Sequence, residues 1–179
     1  MISAIGLTIA WPGVSLSQEL SGDPGTAIGI ELGEVPNAVV IEDLEGDDVD
    51  LAEYIGGGPT LFEFWAVWCE NCEALHPQMQ AAHELYGDEV RFVAVGVAVG
   101  QSKRAIRRHL KKHPVSYSTL WDANGGAVRA FKAPVTSYIV ILDADGRVAY
   151  TGAGADQDIE AAIQSALKSS AADSPPTDS

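Results

Sequence analysis

The sequence predicts an α/β fold in which a mixed central β-sheet lies between layers of helices. Three observations carry that expectation. Residues 60–66 and 90–99 are apolar runs rich in β-formers, the composition of strands covered by helices on both faces. Between them Leu75, Met79, Ala82 and Tyr86 recur at steps of four, three and four, which marks one face of a helix and makes the connection a crossover. Later, the turn residues Asp143, Ala144, Asp145 and Gly146 separate two β-rich stretches and add an antiparallel hairpin.

Taken in order, residues 1–28 hold Pro12, Gly13, Gly22, Pro24 and Gly25 among several Ser and read as an irregular lead-in. The apolar residues 1–10 contain no Lys or Arg and precede no clean small-residue cleavage site. They read either as the remnant of a secretory segment or as an irregular start. One folded domain is expected over residues 29–168. Residues 38–51 form two short strands joined by a turn at 45–48, and Gly56-Gly57-Gly58-Pro59 then breaks the chain. The strand at 60–66 runs into a cysteine pair and then the helix, so Cys69 falls at a strand-to-helix junction. Ser102 caps a helix running to about His113 and stopped by Pro114, with Ile106 and Leu110 on its apolar side. A strand at 137–142, its hairpin partner at 147–151 and an amphipathic helix at 158–167 complete the domain. From Ser169 the Ser/Ala/Asp/Pro tail, residues 169–179, is expected to be disordered. The expected order is β, β, β, α, β, α, β, β, α, without internal repeats.

Composition narrows the function. A chain of 179 residues that is 46% hydrophobic suits one core. A formal charge of −14 argues against nucleic acid as a partner, because phosphate binding needs a basic surface. No run of about 20 apolar residues stands apart from the expected strands and helices, so no transmembrane span is expected. Six of the eleven basic residues fall in one stretch, Lys103, Arg104, Arg107, Arg108, Lys111 and Lys112. That stretch reads either as a solvated helix face offset by the chain's carboxylates or as a docking surface for an acidic partner or membrane.

The only two cysteines sit three apart. A bond between them closes too short a loop to staple the fold, so the pair is chemical rather than structural. At the first turn of a helix, unpaired backbone N–H groups and the positive end of the helix dipole favour a thiolate on Cys69. Three residues on, Cys72 lies on the same face and can resolve a mixed disulfide. His76 follows Cys72 by four residues and could join both sulfurs on a soft metal, but a solvated histidine is the plainer reading and no metal site is assigned. His83, His109 and His113 show no partner pattern.

The segment Phe64-Trp65-Ala66-Val67-Trp68-Cys69-Glu70-Asn71-Cys72, with Pro77 five residues beyond the second cysteine, resembles the active-site segment of thioredoxin-like proteins. In particular it resembles that of the TlpA/ResA-type extracytoplasmic reductases. Asp43-Leu44-Glu45-Gly46 with Val49-Asp50-Leu51 looks like the N-terminal β-hairpin of that family, and Asp143-Ala144-Asp145-Gly146-Arg147 looks like a turn after one of its core strands. The resemblance covers residues 33–168 and implies a thioredoxin-like three-layer sandwich. It implies a thiol-disulfide oxidoreductase that reduces protein disulfides, with the Cys69–Cys72 disulfide as redox group and no other cofactor. An upstream thiol donor, a monomer and an extracytoplasmic or periplasmic location are also implied, with a cytoplasmic one as the alternative.

Residue by residue, Glu63 holds the place of the buried acid that moves a proton for the resolving thiol, and a carboxyl in an apolar strand should have a raised pKa. An acid often found three residues after the second cysteine is Leu75 here. Trp68, Glu70 and Asn71 are the expected contacts for the substrate. Glu70 and Glu73 place negative charge around the sulfurs, which opposes thiolate formation and favours a reductant over an oxidant. The cis-proline that faces the disulfide in the family has two candidate positions: Ser137 with Thr136 before it, by ungapped alignment, or Pro134 if the next strand were three residues longer. A peroxide reductase of the same superfold is a rival reading, although its usual Thr three residues before the reactive cysteine is Ala66. A dithiol metal-binding or carrier module is another.

Overall fold

A computed structural model describes residues 28–172. The expected lead-in and secretory remnant lie outside them, Ile28 excepted, as do residues 173–179 of the tail. The described chain runs β1 (Val40–Asp43), β2 (Asp48–Asp50), a 3₁₀ turn (Leu51–Tyr54), β3 (Thr60–Trp65), α1 (Glu70–Tyr86), β4 (Arg91–Val97) and α2 (Lys103–Leu110). It continues through β5 (Ser118–Asp122), α3 (Gly126–Ala130), β6 (Tyr138–Leu142), β7 (Val148–Ala153) and α4 (Ile159–Ala172). The strands form one sheet in the order β2-β1-β5-β4-β3-β6-β7. The β3–β4 and β4–β5 pairs are parallel and bridged by α1 and α2, while the others are antiparallel, so the sheet is mixed as predicted.

Local chemistry explains the boundaries. The Asp43 carboxylate accepts the N–H groups of Glu45, Gly46 and Asp47, and Gly46 takes φ +108°, which turns β1 into β2. Asp143 repeats the device at the β6–β7 turn by accepting from Asp145 and Arg147. Ser102 caps α2 through the Ala105 N–H.

Three expectations need correction. β5 and α3 were not foreseen; β5 sits between β1 and β4 and thus joins the N-terminal hairpin to the sheet. Its Ser-Thr start leaves only Leu120 and Trp121 as an apolar signal, too short to register as a strand. α2 ends at Leu110 and a turn carries the chain to His113, while α4 continues to Ala172 through residues expected to be tail.

Side-chain alternation divides the core. On one face Phe62 and Phe64 meet Phe131 at 4.7 and 5.4 Å between ring centroids, beneath α3 and the 3₁₀ turn. On the other, Leu61, Ile139 and Ile141 pack on Leu75 and Met79 of α1 and on Ile159 and Ile163 of α4. α2 also lies on this second face: a Cβ on Gly96 would come within 2.5 Å of Ile106 Cδ1, so the glycine leaves the space that this side chain fills. Glu63 alternates onto the same face as Leu61, with Ile139 and Ala94 as its cross-strand neighbours and Thr119 beyond Ala94.

Candidate active site

The strand-to-helix junction is built by the backbone. Cys69 has extended φ/ψ (−85°, 104°) and caps α1; its Sγ accepts the Cys72 N–H at 3.1 Å. Its own N–H returns to the Ala66 carbonyl at 3.0 Å. The sulfurs of Cys69 and Cys72 are bonded, with their Cα atoms 5.3 Å apart, so one helical turn brings the pair together. The loop ahead of them is tied to the end of β4. Gln101 Oε1 accepts the Val67 N–H at 3.0 Å while its amide donates to the Val97 carbonyl at 2.7 Å, and Trp68 Nε1 donates to the Val99 carbonyl at 2.8 Å.

A cavity of about 50 Å³ lies beneath the disulfide. Cys69, Cys72, Glu73 and His76 line its α1 side, and Glu63, Ala94 and Thr119 form one row of the sheet under it. Trp65, His109, His113 and Tyr117 also belong to the wall. Glu63 is 6% exposed, no hydrogen bond from another described residue reaches its carboxyl, and burial pushes its pKa up to about 8. Burial, with the Glu63 charge second, also raises the Tyr117 hydroxyl. Glu63 sits at the fourth position of a fully covered central strand, away from the strand's ends.

The structure brings Cys69, Cys72 and Glu63 around one cavity. Trp68, Glu70 and Asn71 are exposed beside it, Trp68 by 50%. In this disulfide form both cysteines are nearly covered, Cys69 at 8% and Cys72 at 6% exposed, with Cys69 Sγ folded back onto the Cys72 N–H. Leu75, where the family often has an acid, is a core residue.

Ser137 directly precedes β6 and is buried at φ +60°, a conformation rare outside glycine. Its Oγ accepts from Gly154 and donates to the Thr136 carbonyl, and its own carbonyl accepts from Gln157. Continuing the β3–β6 register carries Ser137 level with Trp65, at the end of the sheet that leads to the cysteines. Pro134 is exposed and four residues ahead of the strand, and no peptide bond among the described residues is cis. Neither Pro134, Thr136 nor Ser137 lines the cavity.

The sequence reading missed four cavity residues. Thr119 lies on the unforeseen β5, and Tyr117 just before it. His109 and His113, judged patternless, stack at 4.7 Å, with His76 edge-on to His113 at 6.2 Å. His109 and His113 are four residues apart, one helical turn, but no local spacing links them to His76, which comes from α1. Gln101 was also overlooked. Among the described residues no group of three or more His, Cys, Asp or Glu is arranged to hold a metal ion, and no helix is long and apolar enough to cross a membrane.

Comparison with known proteins sharpens these features. The Redoxin family model matches residues 31–167. The thiol-disulfide oxidoreductase ResA of Bacillus thuringiensis subsp. konkukian is 28% identical over 121 residues, which cover 66% of this chain and 68% of that protein. Among solved structures, StoA from Bacillus subtilis superposes with a TM-score of 0.60 at 21% identity, covering 72% of this chain and 96% of its own. A secreted Mycobacterium tuberculosis disulfide oxidoreductase gives 0.61 at 23%, covering 72% and 94%.

Proposed function

This chain belongs to the Redoxin family, and from that premise we propose that it reduces disulfides in protein substrates as a thiol-disulfide oxidoreductase. The observation that carries the reading is the Cys69–Cys72 pair capping α1 directly above a buried carboxyl. In the reduced protein the Cys69 thiolate, stabilised by the free N–H groups of the first turn of α1, attacks one sulfur of a substrate disulfide. A mixed disulfide forms and the other substrate sulfur leaves as thiolate. Cys72 then gives its proton to Glu63, which acts as base in its ionised fraction, and attacks Cys69, which releases the second substrate sulfur and closes the Cys69–Cys72 bond. Both substrate thiolates take protons from solvent, and an upstream dithiol donor restores the reduced pair. The dithiol itself supplies the redox chemistry, with no organic cofactor.

Trp68, Glu70 and Asn71, exposed on either side of Cys69, serve as the substrate's contacts, and Thr136 joins them from the loop before β6; Ser137, whose own polar groups are occupied, holds that loop in place. The negative charge of Glu70 and Glu73 places the protein toward the reducing end of dithiol proteins, and a potential above about −150 mV contradicts this. An extracytoplasmic location is supported by the similarity to ResA and to a secreted oxidoreductase; cell fractionation tests it. The monomeric state is tested by sedimentation. For the activity itself, insulin reduction by dithiothreitol should accelerate with the wild-type protein and stay at background with Cys69→Ser or Cys72→Ser. A wild-type rate at background sinks the reading.

A further inference from the structure

The mechanism leaves one proton without an exit. Glu63 receives it from Cys72 beneath the disulfide, where the residue is 6% exposed and its carboxyl makes no hydrogen bond to another described residue. The cavity around it carries polar groups that a plain core would not: Trp65 Nε1 and Thr119 Oγ1 are buried without partners among the described residues and belong to residues of its wall. Such orphan groups in a roomy site are what internal water satisfies, and about 50 Å³ admits a few molecules. The same wall carries three imidazoles that lead outward. His109 lies 5.5 Å from the Trp65 ring and is half-buried, His76 is half-buried on α1, and His113, stacked on His109, is exposed.

We propose that His76, His109 and His113 form the exchange port through which Glu63, by way of water in the cavity, passes the resolving-step proton to solvent. The inference rests on the disulfide-reductase reading and extends it to the route of the proton. Per turnover one proton leaves Cys72, resides on Glu63, crosses to an imidazole nitrogen as that ring releases its other N–H proton outward, and enters bulk solvent. No oxidant or reductant is consumed in this exchange. A neutral imidazole suits the task because it offers one donor and one acceptor nitrogen at once. The surroundings keep two of the rings in that form. Burial first, then the neighbouring His113, lowers the pKa of His76, and burial, His113 and His76 lower that of His109. The charged and titratable groups that face the cluster are Glu73 on α1, which opposes the lowering, Lys112 after α2, which adds to it for His109, and Tyr117, Glu63 and the cysteines across the cavity.

The test separates proton exchange from structure. Under multiple turnover with a small disulfide and excess dithiol donor, where Glu63 must shed its proton before each new resolving step, the His76→Gln/His109→Gln/His113→Gln variant should resolve its mixed disulfide about tenfold more slowly near neutral pH, within the range general acid–base groups supply. Its initial Cys69 attack should match wild type. Added imidazole should restore the resolving rate of this variant and leave Glu63→Gln slow. The exposed His113→Gln change, which leaves the two half-buried rings in place, should show a smaller, about twofold, slowing with the same rescue. A folded triple variant that resolves at the wild-type rate, a slowing that imidazole does not relieve, or an unchanged His113→Gln variant overturns the port. If Glu63→Gln slows resolution while the histidine variants do not, the reductase reading survives and only the port falls. A wild-type protein that reduces no disulfide removes both.

Discussion

Glu63 joins stability and chemistry in one side chain. Its folded pKa, near 8, lies above the ordinary carboxyl value of 4.5, so between those values the folded protein binds a proton that the unfolded chain has lost. The stability contributed by the neutral carboxyl is therefore complete below about pH 4.5 and is lost as pH rises through about 8. Urea unfolding at pH 5 and pH 8 should show wild type losing a few kcal/mol more than Glu63→Gln across that interval. Equal losses in the two proteins contradict the buried protonated acid. The same substitution should slow resolution of the mixed disulfide by about 100-fold at neutral pH, because Cys72 loses its base; stopped-flow tryptophan fluorescence reads this step. Glu63 and the cysteine pair were legible in the sequence because each stands in a short continuous stretch: an acid inside an apolar strand, two sulfurs one helical turn apart. His109 and His113 were not, because their meeting with His76 depends on how α1 and α2 pack over the sheet, and no spacing along the chain encodes that.

At the level of elements, the active-site loop is only as rigid as its anchors. Gln101 holds Val67 to the end of β4 through two short hydrogen bonds, and a longer one of 3.4 Å reaches the Trp65 carbonyl. Gln101→Ala should cost about 1–3 kcal/mol in unfolding, since it strands partly buried backbone groups, and should speed hydrogen exchange at the Val67 amide. Unchanged exchange at Val67 sets aside the anchoring role. Helix α1 and the strands at either side of it were readable from hydrophobic period, and both hairpin turns from their Asp and Gly residues. β5 was not, because its place between β4 and β1 comes from pairing partners distant in sequence rather than from its own five residues. That omission also hid Thr119 from the site.

Across the whole molecule, charge is unevenly spread. A chain of −14 repels itself, while Lys103 bonds Glu42 and Arg107 bonds the Leu44 carbonyl, tying α2 to the N-terminal hairpin. Arg104, Arg108, Lys111 and Lys112 remain exposed, so the basic stretch is part fastening and part solvated face. If self-repulsion dominates, raising NaCl from about 20 to about 300 mM should lift Tm by roughly 2–4 °C, equivalent to about 1 kcal/mol. A falling Tm means that the local ion pairs matter more. The sheet, its two packed faces and the cavity all serve to hold one sulfur at a helix start and its partner one turn deeper. Peptide mapping of the Cys72→Ser protein after incubation with a disulfide-bonded polypeptide tests that assignment most directly. A covalent adduct on Cys69, with little from the Cys69→Ser protein at its Cys72, is the predicted result; equal trapping by both variants, or none by either, contradicts it.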